Sequence, residues 1–272
     1  MLSIRFFVFF SYLAYMFSRF FKRKKEEEDV YTDSPGQVSA NWGFLGADMH
    51  SHFIPGIDDG AATVADSLKL VSAMVDMGFK TLVTTPHVMS DYYPNTTQTI
   101  QNGLQVLQDA LKENNIDIPV RAAAEYYIDE SFIKLLETEP LLTITGNQVL
   151  VEFSMLYEPP MLHDVIFKMQ SAGYRPIIAH PERYLFFHQD TRRYKEFKDR
   201  GCMLQLNILS ITGYYGRNIK MIADTLLSQG MYDYCGSDMH HEKHASVLKS
   251  MAGTKDYDRF IGYPFQNNKL CG

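Results

Sequence analysis

From Phe44 onward the chain alternates short apolar runs with longer segments in which apolar residues return every third or fourth position. The short runs are FLGADMH, KTLVTTPH, VRAAAEY, QVLVEF, RPIIAH, MLQLNIL and YDYCGSD, mostly flanked by glycine, proline or charge, and each has the length of a strand. Several are continuously apolar, as strands buried on both faces must be. Between them, VADSLKLVSAMVDMG predicts an amphipathic helix carrying Leu68, Val71, Met74 and Val75 on one face and ending at Gly78. The segments TTQTIQNGLQVLQDALKENN, DESFIKLLETE, PMLHDVIFKMQSAG, TRRYKEFKDRG and RNIKMIADTLLSQG are read in the same way. Nearly every strand is followed by a helix, so the expected fold class is α/β, a parallel barrel of about seven βα units forming one domain over residues 43–272.

Ahead of that body the pattern changes. Residues 1–25 contain IRFFVFFSYLAYMFSRFF, which gives way abruptly to KRKKEEED, and residues 26–42 read as a flexible linker rich in charge, Ser, Pro and Gly. Between Arg5 and Arg19 lie 13 uncharged residues. At ~1.5 Å per residue these make about 20 Å of helix against a bilayer core of ~30 Å, so a spanning helix would need both arginines to snorkel. Secretion would need a small-residue cleavage site, which Phe20, Phe21 and the lysines after them do not supply. The remaining readings are a peripheral membrane contact through the leader, or an over-extended start with initiation at Met16.

Composition narrows the function classes. With 272 residues, 46% of them hydrophobic, the chain can bury one large core, and a net charge of −6 argues against nucleic acid as a partner. Its three cysteines, Cys202, Cys235 and Cys271, are odd in number and widely spaced, which fits a reducing compartment rather than a disulfide framework.

In a βα barrel, chemistry gathers at the carboxyl ends of the strands. His50, His52, His87, Glu125, Glu152, His180, Asp238 and His240 all lie at or just beyond the ends of the predicted runs. Alternate residues of a strand face one side, so Asp48, His50 and His52 are expected together, and Asp238 with His240 repeats the spacing. The Asp58-Asp59-Gly60 stretch is open to two readings, a turn chosen for backbone reasons or a carboxylate folded back over a metal. Arg183 is likewise open: a fork onto phosphate oxygens, or a salt bridge with Glu182. His163 and His188 occupy no strand end and are read as structural.

Mixed imidazole and carboxylate donors without cysteine suit Mn, Fe or Zn, and bridging carboxylates would let two or three ions sit together. Such a cluster lowers the pKa of bound water and clamps phosphoryl oxygens, which makes hydrolysis the reaction class. Other phosphatase and hydrolase schemes lack their motifs. A cysteine phosphatase needs Arg six residues after its Cys, but Cys202 leads to Ile208, Cys235 leads to His241, and Cys271 is nearly terminal. Neither G-x-S-x-G nor G-x-x-x-x-G-K-[ST] occurs.

DMHSHFIPGIDDGA, TTPHVM, AAAEYYID, VLVEFS, IIAHPERY, LQLNILSITGYYG and GSDMHH, in this order, resemble the polymerase-and-histidinol-phosphatase (PHP) superfamily, and within it the bacterial capsule-associated protein-tyrosine phosphatases. The resemblance runs from about Phe44 to the carboxyl terminus. It implies a distorted seven-unit barrel, a Mn-preferring cluster of two or three ions with Fe, Zn or Mg as alternatives, and hydrolysis of phosphotyrosine by metal-activated water. The metal ligands it implies are His50, His52, Asp59, His87, Glu125, His180, Asp238 and His240, with Arg183, Asp59 and His240 as catalytic residues and Arg183 holding the substrate phosphate. Where family members often carry a second arginine this chain reads HEKHA, which leaves Lys243 or His244 for that place.

The implied partner is a phosphotyrosine protein, the tyrosine-rich tail of a membrane-bound kinase that controls capsule or exopolysaccharide export. That places the protein in the cytoplasm at the inner face of the membrane, with a homo-oligomer as a further expectation. The alternative enzyme is a PHP phosphoesterase acting on a small phosphomonoester such as histidinol phosphate. The non-enzymatic alternative is a scaffold stabilised by a structural metal cluster.

Overall fold

The computed structural model describes residues 39–271, so the leader and most of the linker lie outside the described residues. The seven apolar runs become nine strands: β1 (Ala47–Asp48), β2 (Thr81–Thr84), β3 (His87–Val88), β4 (Val120–Ala122), β5 (Glu125–Tyr127), β6 (Gln148–Glu152), β7 (Arg175–Ala179), β8 (Met203–Asn207) and β9 (Tyr234–Gly236). The second and third runs are each split in two, with β2 and β3 separated at Thr85-Pro86 and β4 and β5 at Ala123-Ala124. Proline has no N–H to give a ladder, which accounts for the first break. One sheet has the order β1-β2-β4 and the other β3-β5-β6-β7-β8-β9, and all pairs are parallel.

The last run returns beside the first. Ser51 and Met239 form a parallel bridge, Asp238 N donates to His50 O at 2.8 Å, and His52 N donates to Met239 O at 2.9 Å. The expected barrel is therefore a curled parallel sheet whose ends meet at the His50–His52 segment.

The six predicted helices form at Val64–Asp76, Thr97–Glu113, Glu130–Thr138, Leu162–Ser171, Arg192–Asp199 and Arg217–Ser228. Local caps start three of them: Thr63 accepts from Asp66 N, Thr96 and Thr99 make a reciprocal capping box, and Asp129 accepts from Phe132 N. The first of these helices buries Ser67, Leu70, Val71 and Met74, so its inward face is rotated from the expected one and Val75 is exposed. Helices at Ile208–Thr212, Glu242–Lys249 and Lys255–Ile261 have no counterpart in the sequence reading.

Packing begins ahead of residue 43. Ala40 and Trp42, which composition groups with the linker, are buried; Trp42 N donates to Met77 O, and its ring meets Tyr257 and Phe260 edge-on at 5.1 and 5.3 Å. Burial of an aromatic side chain of that size stabilises the body by roughly 3 kcal/mol. Among the described residues no helix is long and apolar enough to cross a membrane.

Candidate metal centre

Parallel pairing brings the polar strand ends into one place. His87 stands in register with Glu125 across β3 and β5, and Tyr127 with Glu152 across β5 and β6. The bridge between the first and last runs sets His50 and His52 beside Asp238. Glu125 lies at the middle of the result, with Oε2 3.1 Å from His50 Nε2, 3.6 Å from His52 Nε2 and 3.2 Å from His87 Nδ1, and Oε1 3.1 Å from His180 Nε2. Asp238 Oδ1 is 3.4 Å from His50 Nε2 and 3.5 Å from His52 Nε2. Glu152 Oε1 approaches His87 Nδ1 at 3.1 Å.

The turn after His52 supplies the outer part. Asp59 Oδ1 is 3.4 Å from both His87 Nε2 and His240 Nε2. Asp58 shapes that turn by accepting from Gly60 N at 3.0 Å and from His87 N at 3.2 Å. Gly60 packs so closely that a Cβ there would lie 2.2 Å from His52 O, so this position excludes any side chain.

Three imidazoles have their tautomer set from outside the cluster. His50 Nδ1 faces Gln205 Oε1 at 3.0 Å, His52 Nδ1 faces Asp58 Oδ2 at 2.8 Å, and His240 Nδ1 faces the Asp238 carbonyl at 2.8 Å. All three partners are acceptors, so each Nδ1 carries the proton and each Nε2 lone pair points into the cluster. Gln205 cannot be reversed, because its Nε2 donates to Leu206 O and its Oε1 also accepts the His180 amide. Asp48 plays a neighbouring part, taking Ser237 N and Oγ at 2.8 Å each and so tying the last run to the first.

The charges show what the centre wants. Burial alone would push His50 and His52 down, yet Glu125 and Asp238 around the first, and Asp58 and Asp238 around the second, lift both to about 9. Burial opposes ionisation of Glu125 and Asp238 too, but the surrounding imidazoles hold both well below the usual carboxylate range. Burial raises Asp48 to about 7 against the two bonds from Ser237. Asp59, Glu125, Glu152 and Asp238 thus gather four carboxylates, and among the described residues Arg183 is the one permanent cation in contact with them. Without another cation the imidazoles must take up protons.

These residues fit a metal cluster by that donor chemistry and by geometry. Donor atoms of four sets each lie within 4.8 Å of one another: His52, Asp59, His87 and His240; His50, Glu125 and His180; His50, His52 and Asp238; and His87, Glu125 and Glu152. The sets share members, as ligands bridging more than one ion would. Among the described residues the buried Nδ1 of His180 has no hydrogen-bond partner, and that of His87 lies 3.1 and 3.2 Å from Glu152 and Glu125 without the alignment of a hydrogen bond, which is costly unless something else engages them.

All eight ligands that the family resemblance implies are brought together here. Glu152, noted at a strand end but left out of that ligand set, joins them. Arg183 Nη1 donates to Asp238 Oδ2 at 2.8 Å, and its guanidinium lies 4.5 Å above the Tyr215 ring. The alternative pairing of Arg183 with Glu182 does not form; the Glu182 carboxylate is buried and taken by Asn207 N, Ser210 Oγ and Tyr232 OH. His244 is buried, with Nδ1 3.3 Å from the His240 amide and 3.2 Å from the Asp238 carbonyl, and burial, with His241 and His240, holds it well below the ordinary histidine range. Lys243 is exposed, with its Nζ 5.8 Å from the Tyr214 ring centre. His188 donates to the Glu182 carbonyl, and His163 lies beside Glu158 and Arg193, both outside the cluster. Gln205 and Asn207 were missed because each sits inside an apolar run without a spacing signature of its own.

A curled parallel α/β sheet with overlapping imidazole-carboxylate sets at its carboxyl end defines the class as PHP-like, metal-dependent enzymes. The chain belongs to the capsular polysaccharide synthesis family CpsB/CapC, whose model matches residues 46–254. It is 27% identical over 197 residues to the tyrosine-protein phosphatase YwqE of Bacillus subtilis, covering 72% of this chain and 78% of that protein. It is 26% identical over 232 residues to the tyrosine-protein phosphatase CpsB of Streptococcus pneumoniae, covering 80% of this chain and 96% of that one. A solved structure from work on YwqE and CpsB, described as unique metal-dependent tyrosine phosphatases, superposes with a TM-score of 0.69 at 25% identity, covering 78% of this chain and 90% of that chain.

Proposed function

We propose that this protein is a metal-dependent protein-tyrosine phosphatase of the capsule-synthesis type, with manganese as its metal. The observation that carries the reading is the combination of overlapping ligand sets with a partly exposed Arg183 on one side of them. When bound, the ions would activate water and neutralise charge building on the phosphoryl oxygens. His50, His52, Glu125, His180 and Asp238 would hold ions on the inner side, and Asp59, His87, Glu152 and His240 on the outer side. The Arg183 fork takes the substrate phosphate, stiffened by its stacking on Tyr215. Lys243, on the helix after His240, would add a second, weaker attraction. The phosphorylated protein is the tail of a membrane-bound tyrosine kinase, reached at the inner face of the membrane.

A panel of metals against substrates tests this, using chelator-stripped full-length protein, a phosphotyrosine peptide and histidinol phosphate. Manganese-dependent turnover of the peptide is expected, and His50→Ala with His52→Ala should remove it. Preference for the small ester would transfer the chain to the alternative phosphoesterase reading, and full activity in the double variant would end the metal proposal.

A further inference from the structure

Asp238 uses its two oxygens for different purposes. Oδ1 faces the imidazoles of His50 and His52, on the side of the metal donors. Oδ2 takes Arg183 Nη1 and Asn207 Nδ2, both at 2.8 Å. In the phosphate-anchor reading of Arg183, one of these two donors turns to the substrate phosphate, and Oδ2 then keeps only Asn207. Asp238 itself sits at φ +50°, a conformation that L residues seldom adopt, so its carboxylate depends on such anchoring.

Asn207 is built to stay. It is fully buried at the end of β8, its Oδ1 caps the following helix through Leu209 N at 2.9 Å, and its backbone N–H is held by Glu182 Oε1 at 3.0 Å. With Oδ1 committed to an N–H, Nδ2 has to face Asp238, and it also donates to Tyr215 OH at 3.2 Å. Tyr215 is the ring under the Arg183 guanidinium, so one amide touches both the metal-side carboxylate and the platform of the phosphate anchor.

We propose that Asn207 is a positioning residue that holds Asp238 in its metal-binding orientation when Arg183 leaves it for the substrate phosphate. The proposal rests on Arg183 being the phosphate anchor. It makes metal and phosphate occupancy compatible, and removing Asn207 should set them against each other.

The test titrates Mn2+ into chelator-stripped full-length protein, reading free Mn2+ by electron paramagnetic resonance with and without saturating inorganic phosphate. Asn207→Ser retains a good helix cap but cannot reach Asp238. Its ratio of Mn2+ affinity with phosphate to that without should fall ~10–100-fold below the parent's, the range for lost partners of metal ligands. By linkage, the variant's ratio of phosphate affinity with Mn2+ to that without should fall below the parent's by the same factor. Asn207→Asp also retains the cap, sets a second carboxylate against Oδ2, and should weaken Mn2+ even without phosphate.

Arg183→Ala should lose phosphate affinity while its Mn2+ affinity stays within about threefold, well inside the range expected when a ligand's partner is lost. A ratio equal to the parent's in Asn207→Ser, or equal loss of Mn2+ affinity in both conditions, would overturn the proposal, as would a Mn2+ loss in Arg183→Ala as large as ~10-fold. Unchanged phosphate affinity in Arg183→Ala would overturn the anchor reading together with this one. Normal phosphate loss there, with an unaltered Asn207→Ser ratio, would overturn this one alone.

Discussion

The floor and the rim of the metal centre are made of the same residue types and built in different ways. The floor, His50, Glu125, His180 and Asp238, stands on strand ends or hydrogen bonds to neighbouring strands, and the Glu125 side chain is wholly enclosed. The rim is mixed: His87 and Glu152 stand on short or terminal parts of strands, whereas Asp59 sits on a turn, held by its contacts with two imidazoles, with its side chain 54% exposed. The floor is fixed by the sheet, whereas the rim is more open beside Arg183; under the proposed function, retaining ions and admitting substrate would be divided between the two.

The sharpest way to break that comparison is to remove one carboxylate from each region and count ions. Glu125 belongs to two of the ligand sets and meets four imidazoles, so Glu125→Gln should cost more than one equivalent of bound metal and nearly all activity. Asp59 belongs to one set, so Asp59→Asn should cost a single equivalent and leave the floor loaded. Elemental analysis of the two purified variants decides the matter. Equal losses would mean that floor and rim form one indivisible cluster.

A smaller effect separates a ligand from the group that aims it. Asp58 fixes the tautomer of His52 and shapes the turn bearing Asp59, so it serves both regions while belonging to none of the four donor sets. Asp58→Asn keeps the shape, but its amide no longer supplies the charge that holds the His52 proton at Nδ1. Metal affinity should fall ~10–100-fold with the ion count unchanged at saturation. A calorimetric titration would show it, and unaltered affinity would reduce Asp58 to a turn residue.

How much of this was readable follows the same division. Strand ends announce themselves because an apolar run stops at a histidine or acid, and this marks His50, His87, Glu125, His180 and Asp238 in the sequence. The glutamate near the end of QVLVEF gives the same signal, and Glu152 stands among the strand-end residues, but the family resemblance does not include it among the ligands. Asn207 is hidden inside MLQLNIL, where its polar atoms are absorbed by a helix cap and by Asp238, contacts that depend on folding. The breaks in β2–β3 and β4–β5 escape for a related reason: a backbone kink within an apolar run leaves the hydrophobic pattern intact. The helix Lys255–Ile261 reads as a loop because TKDYDRF is mostly polar, and only its Thr254 cap and buried Phe260 mark it.

The electrostatics of the floor give a last and smaller prediction, on protein stripped of metal. His50 and His52, lifted to about 9 from 6.5, bind protons more tightly folded than unfolded. Their contribution to stability is complete below pH 6.5 and is lost as pH rises through about 9. Glu125 and Asp238, held low, act in the opposite sense, stabilising above the unfolded carboxylate range and failing as acid protonates them. The stripped protein should therefore be most stable in weak acid, with its melting temperature falling by about 5 °C or more between pH 6.5 and 9. Metal replaces those protons, so the loaded protein should gain stability over the same interval as competition from protons disappears. The two melting curves should diverge as pH rises, and parallel curves would show that the floor imidazoles do not exchange protons for metal.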